Sequence, residues 1–461
     1  MVKFTLAISI IFFSSFAGAQ VQEYELKNGL KLLVKEDHRA PIVVSQVWYK
    51  VGSSYETEGH TGVSHVLEHM MFKGTKKYGD GEFSRIIAEN GGRENAFTGD
   101  DYTAYFQTME KSRLPISFEL EADRMRNITL PKEEFYKEIE VVKEERRMRT
   151  EDNPNSYLRE VSNATAFQTS PYRQPVIGWM ADLHAMQVED LRSWYNKWYA
   201  PNNATVVVVG DVNADDVYRL ARKYFGKLRK EEIFPPSPRP EVTQQGMKKV
   251  IVKRPAEIAR IRMSYKAPGL KSSLLDDSEM EMWEPYALEV LAWILSGGGS
   301  ARFDSRLVRG QEVATSVNSS YQMAGRLDGL FVISATPSQG SSVEQLELAI
   351  REEIEELNYK LVEEHELERV KAQVVSGDIY EKDSAFYQGM ILGTFETVGL
   401  GWRLADDYVG KVSSITPKQV QEVVRKYFID DNLTLAVLQP LSIDRAANSQ
   451  DVSLSEGAYN E

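Results

Sequence analysis

The alternation of apolar and polar positions divides this chain into short strands and amphipathic helices, and the units recur. Leu30 to Val34 reads as a strand, and Lys248 to Lys253 restarts one much later. A helical pattern from Val188 to Trp198 leads through Lys197-Trp198-Tyr199-Ala200-Pro201-Asn202-Asn203-Ala204-Thr205 into the apolar strand Val206-Val207-Val208-Val209. Near the other end, Pro417 to Tyr427 leads through Lys426-Tyr427-Phe428-Ile429-Asp430-Asp431-Asn432-Leu433-Thr434 into Leu435-Ala436-Val437-Leu438. Lys, an aromatic pair, Asn and Thr keep one register there, at a constant offset of 229 (from 197 to 426). A duplicated α/β unit explains the match. The copies part at Pro235-Pro236-Ser237-Pro238-Arg239-Pro240, too rich in proline for helix or central strand. The expected boundaries are a first half over 20–234, a linker over 235–247, a second half over 248–445 and a polar tail over 446–461.

Length and composition narrow the picture. At 461 residues the chain exceeds one ordinary core, and 42% hydrophobic with 27% charged residues is the balance of a globular protein. A net charge of −13 with no basic block argues against nucleic acid as a partner. Lys3, the apolar run Phe4 to Phe16 and Ala17-Gly18-Ala19 form a secretory signal over 1–19, cleaved before Gln20. Its apolar run is shorter than the roughly 20 residues a spanning helix needs, and no later segment spans. Export is expected, to the periplasm, with secretion from the cell as the alternative. Cysteine is absent, which excludes disulfides, thiolate nucleophiles and cysteine-held zinc. Any metal must be held by histidine and carboxylate.

Such ligands stand together at one place. Among only six histidines, His65 and His69 flank Glu68 in His65-Val66-Leu67-Glu68-His69. On a helix, His65 and His69 lie one turn apart on one face and can grip a single ion, with Glu68 beside it to take a proton from bound water. This is the H-x-x-E-H order, the reverse of H-E-x-x-H. The competing account is a pair of surface histidines on an amphipathic helix. Adding 229 to these positions gives Ile294, Gly297 and Gly298, so the second half has no ligands there; it has the loop Ser296-Gly297-Gly298-Gly299-Ser300. One half is catalytic and the other degenerate.

A third ligand belongs on a separate helix. Pro131 to Arg149 has proline at the first turn, acids early, bases late, and a buried face marked by Phe135, Ile139 and Val142. Glu138 and Glu145 lie two turns apart near that face, while Glu133, Glu134 and Glu144 are more readily solvated. Spacing alone does not choose between them.

Gly62 to Gly74, Asn95-Ala96-Phe97-Thr98, Glu140 to Glu145, Ser170-Pro171-Tyr172, Tyr199 to Ala204 and Gly210-Asp211-Val212 together resemble the pitrilysin/insulinase family of zinc peptidases. The likeness is greatest to the bacterial two-domain type related to mitochondrial processing peptidase, and it covers nearly all of the chain after the signal. It implies an α+β fold of two duplicated α/β half-units, each a mostly antiparallel sheet with helices on one face. It also implies one Zn²⁺ per chain on His65, His69 and Glu145, the step from 69 to 145 being the family's own spacing between its second and third ligands. Glu68 is then the general base and Glu138 a supporting glutamate. Asn95, Ala96 and Phe97 resemble the family's substrate-pairing edge strand, so peptides or unfolded polypeptides are the expected substrates.

The second half departs from the family. Active members supply an arginine and a tyrosine from it. Here Arg309 matches the arginine, but Thr315 stands near the tyrosine's place, and Tyr321 is the substitute within reach. The family's chamber holds four half-units, so a dimer is implied. Its partner is a second copy, or a related chain lacking zinc ligands that supplies Arg and Tyr. Three hypotheses follow: an exported zinc metalloendopeptidase, a non-catalytic or partner-dependent scaffold subunit, and a zinc hydrolase of non-peptide substrates. The intact His65, Glu68, His69 and Glu145 set favours the first.

Overall fold

The computed structural model describes residues 20–237, 239–275 and 280–442; the signal read in 1–19 and the tail read in 446–461 lie outside them. Eleven strands form two sheets. The first contains β1 (Gln22–Glu25), β2 (Lys31–Glu36), β3 (Ile42–Tyr49), β4 (Arg93–Thr98), β5 (Thr103–Glu110) and β6 (Ala204–Gly210), in the order β1-β2-β6-β3-β5-β4. The second contains β7 (Lys248–Pro255), β8 (Arg260–Ala267), β9 (Ala314–Tyr321), β10 (Gly329–Pro337) and β11 (Leu433–Leu441), in the order β7-β11-β8-β10-β9. One pair in each sheet is parallel, β2 with β6 and β7 with β11; the rest are antiparallel. The duplicated, mostly antiparallel α+β fold is as expected. Between the helix Ala214–Tyr224 and β7 there is no helix or strand among the described residues, and the proline-rich stretch lies in this connection.

The repeat is less regular than its ends suggest. The helices Val188–Trp198 and Pro417–Tyr427 keep the offset of 229 (188 to 417), as do the starts of β6 and β11 (204 to 433). The offset is only 218 between β3 and β8 (42 to 260) and 221 between β4 and β9 (93 to 314). Adding 229 therefore overshoots in the region of the histidines. By position in the fold, the counterpart of their helix Val63–Met70 is the longer helix Glu284–Ser296, and the Gly297–Gly299 loop follows its end. The conclusion drawn from the wrong register stands on other grounds: among the described residues, the one His/Asp/Glu group placed to hold a metal is in the first half.

Each sheet buries one face against its own helices. In the first, Val34, Val43, Val47 and Val206 join the larger core, with Leu67, Met70 and Val142 from the helices. The alternate positions Leu33, Trp48, Val207 and Val209 face the other way and meet Leu392. That residue belongs to the helix Ala385–Thr397, which lies on the first half's sheet although it is part of the second. Gly389 and Gly393 permit the approach: a Cβ on Gly393 would come within 2.1 Å of the Trp48 ring. The exchange is reciprocal. The helix Pro154–Ala166 packs on β7, β8 and β11, where Leu158 meets Val252, Ala436 and Leu438. Thus the second face of each sheet is also covered, and β6 is buried along its whole length. That is why Val206 to Val209 is apolar without alternation.

The connection between halves is pinned at Glu241. Its carboxylate accepts from the amides of Gln168 (2.8 Å), Thr169 (2.9 Å) and Ser170 (2.9 Å), and from Lys266 Nζ at 2.6 Å. Burial alone would raise this acid, but Lys266 and the three amides bring it down to about 2. A folded-state value below the unfolded one stabilises above pH ~4.5, and the benefit is lost as pH falls toward ~2. Replacing Glu241 with Gln should lower Tm at pH 7 by about 2–4 °C. The gap from wild type should close progressively between pH 5 and pH 2 in melts followed by circular dichroism.

Candidate metal centre

The helix Val63–Met70 begins at Gly62, whose φ of 86° suits a residue without Cβ. The amides of Gly62 and Ser64 donate to the buried Glu56 carboxylate at 2.7 and 2.8 Å, which fixes the helix's first turn. One turn apart on it, the His65 and His69 rings stand 4.9 Å between centroids. The helix Lys132–Arg146 brings Glu145 to them and runs on into a π-helical turn, Arg147–Glu151. Glu145 Oε2 is 3.8 Å from His65 Nε2 and 3.5 Å from His69 Nε2.

These three side chains offer ligand atoms that all lie within 4.8 Å of one another. Ligands about 2.0–2.1 Å from a tetrahedral zinc stand roughly 3.3–3.4 Å apart, close to the spacings found. Burial, with the neighbouring His69, holds His65 at about 4, so its ring is neutral at physiological pH. For His69 burial would lower the value, but Glu145 and Glu138 outweigh it and raise it. Glu145 is lowered, first by its hydrogen bond with His69. A neutral imidazole aimed at a carboxylate gains little as an ion pair; two ring nitrogens and a carboxylate are a donor set that fits Zn²⁺.

The surroundings hold the donors in place. Glu138 Oε2 lies 3.2 Å from His69 Nδ1, leaving His69 Nε2 free to ligate, and Lys73 Nζ holds the other Glu138 oxygen at 2.7 Å. Arg149 pairs with Glu145 Oε1 at 2.5 Å. Buried Arg146 makes two hydrogen bonds to Glu160, 2.8 and 2.9 Å, tying the Glu145 helix to the exchanged helix Pro154–Ala166. Replacing Glu138 with Gln should weaken metal affinity about 10- to 100-fold, read by competition with a chromophoric chelator.

Glu68 sits beside the group, raised by burial, and accepts from Thr98 Oγ1 at 2.5 Å. Thr98 ends β4, an outer strand of its sheet with one edge unpaired. The ligand group, Glu68, Asn95, Ala96 and Phe97 all line one cleft of about 790 Å³. Arg309 and Tyr321 do not. Arg309 is exposed in the second half, bonded to the Gly299 carbonyl and 3.5 Å from Asp304. Tyr321 ends β9 with its hydroxyl on the Pro268 carbonyl, and lines a separate cavity of about 380 Å³ with Glu289, Trp293 and Tyr408. Thr315 stands near the start of β9. Sequence reasoning gave no role to Lys73, Thr98 or Arg149. Lys73 and Thr98 lie within motifs already quoted, and Arg149 is one turn past Glu145.

Residues 31–179 match the family described as insulinase (peptidase family M16), and residues 185–374 match the peptidase M16 inactive domain. The chain is 31% identical over 423 residues to the zinc protease PqqE of Helicobacter pylori, covering 90% of this chain and 92% of that one. It is 25% identical to an uncharacterized zinc protease of Bacillus subtilis, YmxG, over 91% of this chain and 98% of that one. A crystal structure of a Helicobacter pylori protease superposes with a TM-score of 0.85 at 29% identity, covering 92% of this chain and 100% of that one. The periplasmic protease PqqL of Escherichia coli shares the fold, with a TM-score of 0.75 at 18% identity over 93% of this chain and 48% of that one.

Proposed function

Because this chain belongs to the insulinase family of M16 peptidases, we propose that it is an exported zinc metalloendopeptidase acting on peptides or unfolded polypeptides. The observation that carries this reading is one cleft holding a three-donor group, a buried carboxylate beside it and an open strand edge. His65, His69 and Glu145 hold the ion, which when bound supplies an acidified water and a Lewis acid for the carbonyl. Glu68 takes the water's proton and returns it to the leaving amine. Thr98 fixes one Glu68 oxygen, which leaves the other to do this. β4 offers its free backbone groups to an extended peptide, a mode that reads little sequence and excludes folded chains.

Arg309 and Tyr321 lie outside the cleft of their own chain, which favours a dimer in which another second half closes over the site. The partner is a second copy or a related chain without zinc ligands. The signal read at residues 1–19 supports export to the periplasm, and no helix among the described residues is long and apolar enough to cross a membrane. Purified mature protein should cleave a mixture of quenched fluorescent peptides, lose that activity to a chelator and regain it with Zn²⁺. Zinc bound without cleavage would leave a missing partner, and adding the related chain should restore turnover. Neither zinc nor cleavage would sink the peptidase and leave the scaffold.

A further inference from the structure

Arg262, in the middle of β8, faces the exchanged helix Pro154–Ala166 with no acid among the described residues to meet it. Its hydrogen bonds are long, 3.4 Å to Ser334 Oγ and 3.5 Å to Asn163 Oδ1, and its Nε is buried without a partner. The charged group acting on it is another guanidinium, Arg159, and burial, added to by this neighbour, lowers Arg262 to about 10. The nearby acids are engaged elsewhere. Asp101 takes Ser54, Tyr172 and Arg326; Asp100 takes Ser53; Glu160 takes Arg146. Burying a cation unpaired is costly, and a chain of net charge −13 has carboxylates to spare for it.

Position gives this unpaired charge a use. Arg262 lines a cavity of about 320 Å³ that shares Asp100, Asn163 and Tyr172 with the metal cleft. Arg159 is exposed on the cleft side, one turn before Asn163 on the same helix. The cavity opens past Thr98, at Gly99 to Tyr102, where a peptide paired with β4 would continue. The guanidinium fork is suited to a planar carboxylate.

We infer that Arg262 and Arg159 form a carboxylate-binding subsite at the end of the cleft, taking an acidic side chain or the terminal carboxylate of a peptide. The inference rests on the peptidase reading, but it is tested by binding, which needs no turnover. Metal-loaded Glu68→Gln protein is titrated with fluorescent peptides that differ in one group: Glu against Gln at each position in turn, and free against amidated C-terminus. One carboxylate should tighten binding about 10- to 100-fold, and the peptide series shows whether it is a side chain or the terminus. Adding Arg262→Met should abolish that preference while the neutral peptide binds as before. The exposed Arg159→Ala, which leaves the buried packing intact, should reduce it. Equal binding of charged and neutral peptides, or a preference that survives both substitutions, would overturn the subsite. In the wild type the same peptides report kcat/KM. A binding preference without any cleavage would keep the subsite and count against turnover by this chain alone.

Discussion

Substituting Glu68 with Gln is expected to lower peptide hydrolysis by about 10²–10⁴-fold while leaving bound zinc and Tm unchanged. Gln keeps the shape of the side chain, and its carbonyl oxygen can still accept the Thr98 hydroxyl that now stands 2.5 Å from Glu68 Oε2. It cannot accept a proton from water. Removing a buried charge also lifts the desolvation cost that raises Glu68, so stability should not fall. The three donors lie on other side chains, so metal content by mass spectrometry should stay at one ion per chain. Because proton transfer belongs to the chemical step, the loss should appear in kcat with KM little changed. A variant that keeps more than a tenth of wild-type kcat would remove Glu68 from the general-base role and leave it as a carboxylate that orders the end of β4.

The sequence made the metal group legible because it is a local object. Two histidines one helical turn apart need no knowledge of tertiary structure, and the helix Lys132–Arg146 shows its apolar face in Phe135, Ile139 and Val142. Choosing between Glu138 and Glu145 was beyond the pattern. Both lie on that face, and the choice depends on how two helices cross, which the family likeness supplied. The repeat was legible at its ends and misleading in the middle. The offset falls from 229 to 218 because connections differ in length between the halves. The exchange of helices between sheets was hidden too, since Gly393 meets Trp48 from the far half of the chain, where no local pattern records the contact. A hint did exist in the unbroken apolar run of β6, which demands cover on both faces. Arg309 and Tyr321 came from likeness alone, and a single chain does not bring them to the cleft.

A buried ion pair lies close to the end of the helix that carries His65 and His69, and separating that pair should cost about 3–5 kcal/mol. On the helix Leu114–Asn127, Arg124 and Glu121 have side chains 1% and 0% exposed. Arg124 donates twice to Glu121, at 2.9 and 2.6 Å, and Glu121 also accepts from Gln107 of β5 at 2.6 Å. The guanidinium lies 5.2 Å from the Phe72 ring centre, 4.2 Å from Phe83 and 4.3 Å from Tyr105. Phe72 lies two residues past the end of the helix that carries His65 and His69, so the charged cluster packs near that end. Arg124→Met strands a carboxylate in the core, and Glu121→Leu strands a guanidinium among the three rings. Each single variant should shift the urea midpoint by its full penalty at unchanged slope. Combining them leaves neither charge behind. The double variant should therefore recover most of the loss, with a coupling energy well above the scatter seen between independent sites. If the two losses simply add, the pair is not acting as a unit, and the packing of Arg124 on the aromatic rings is what stabilises this part of the core.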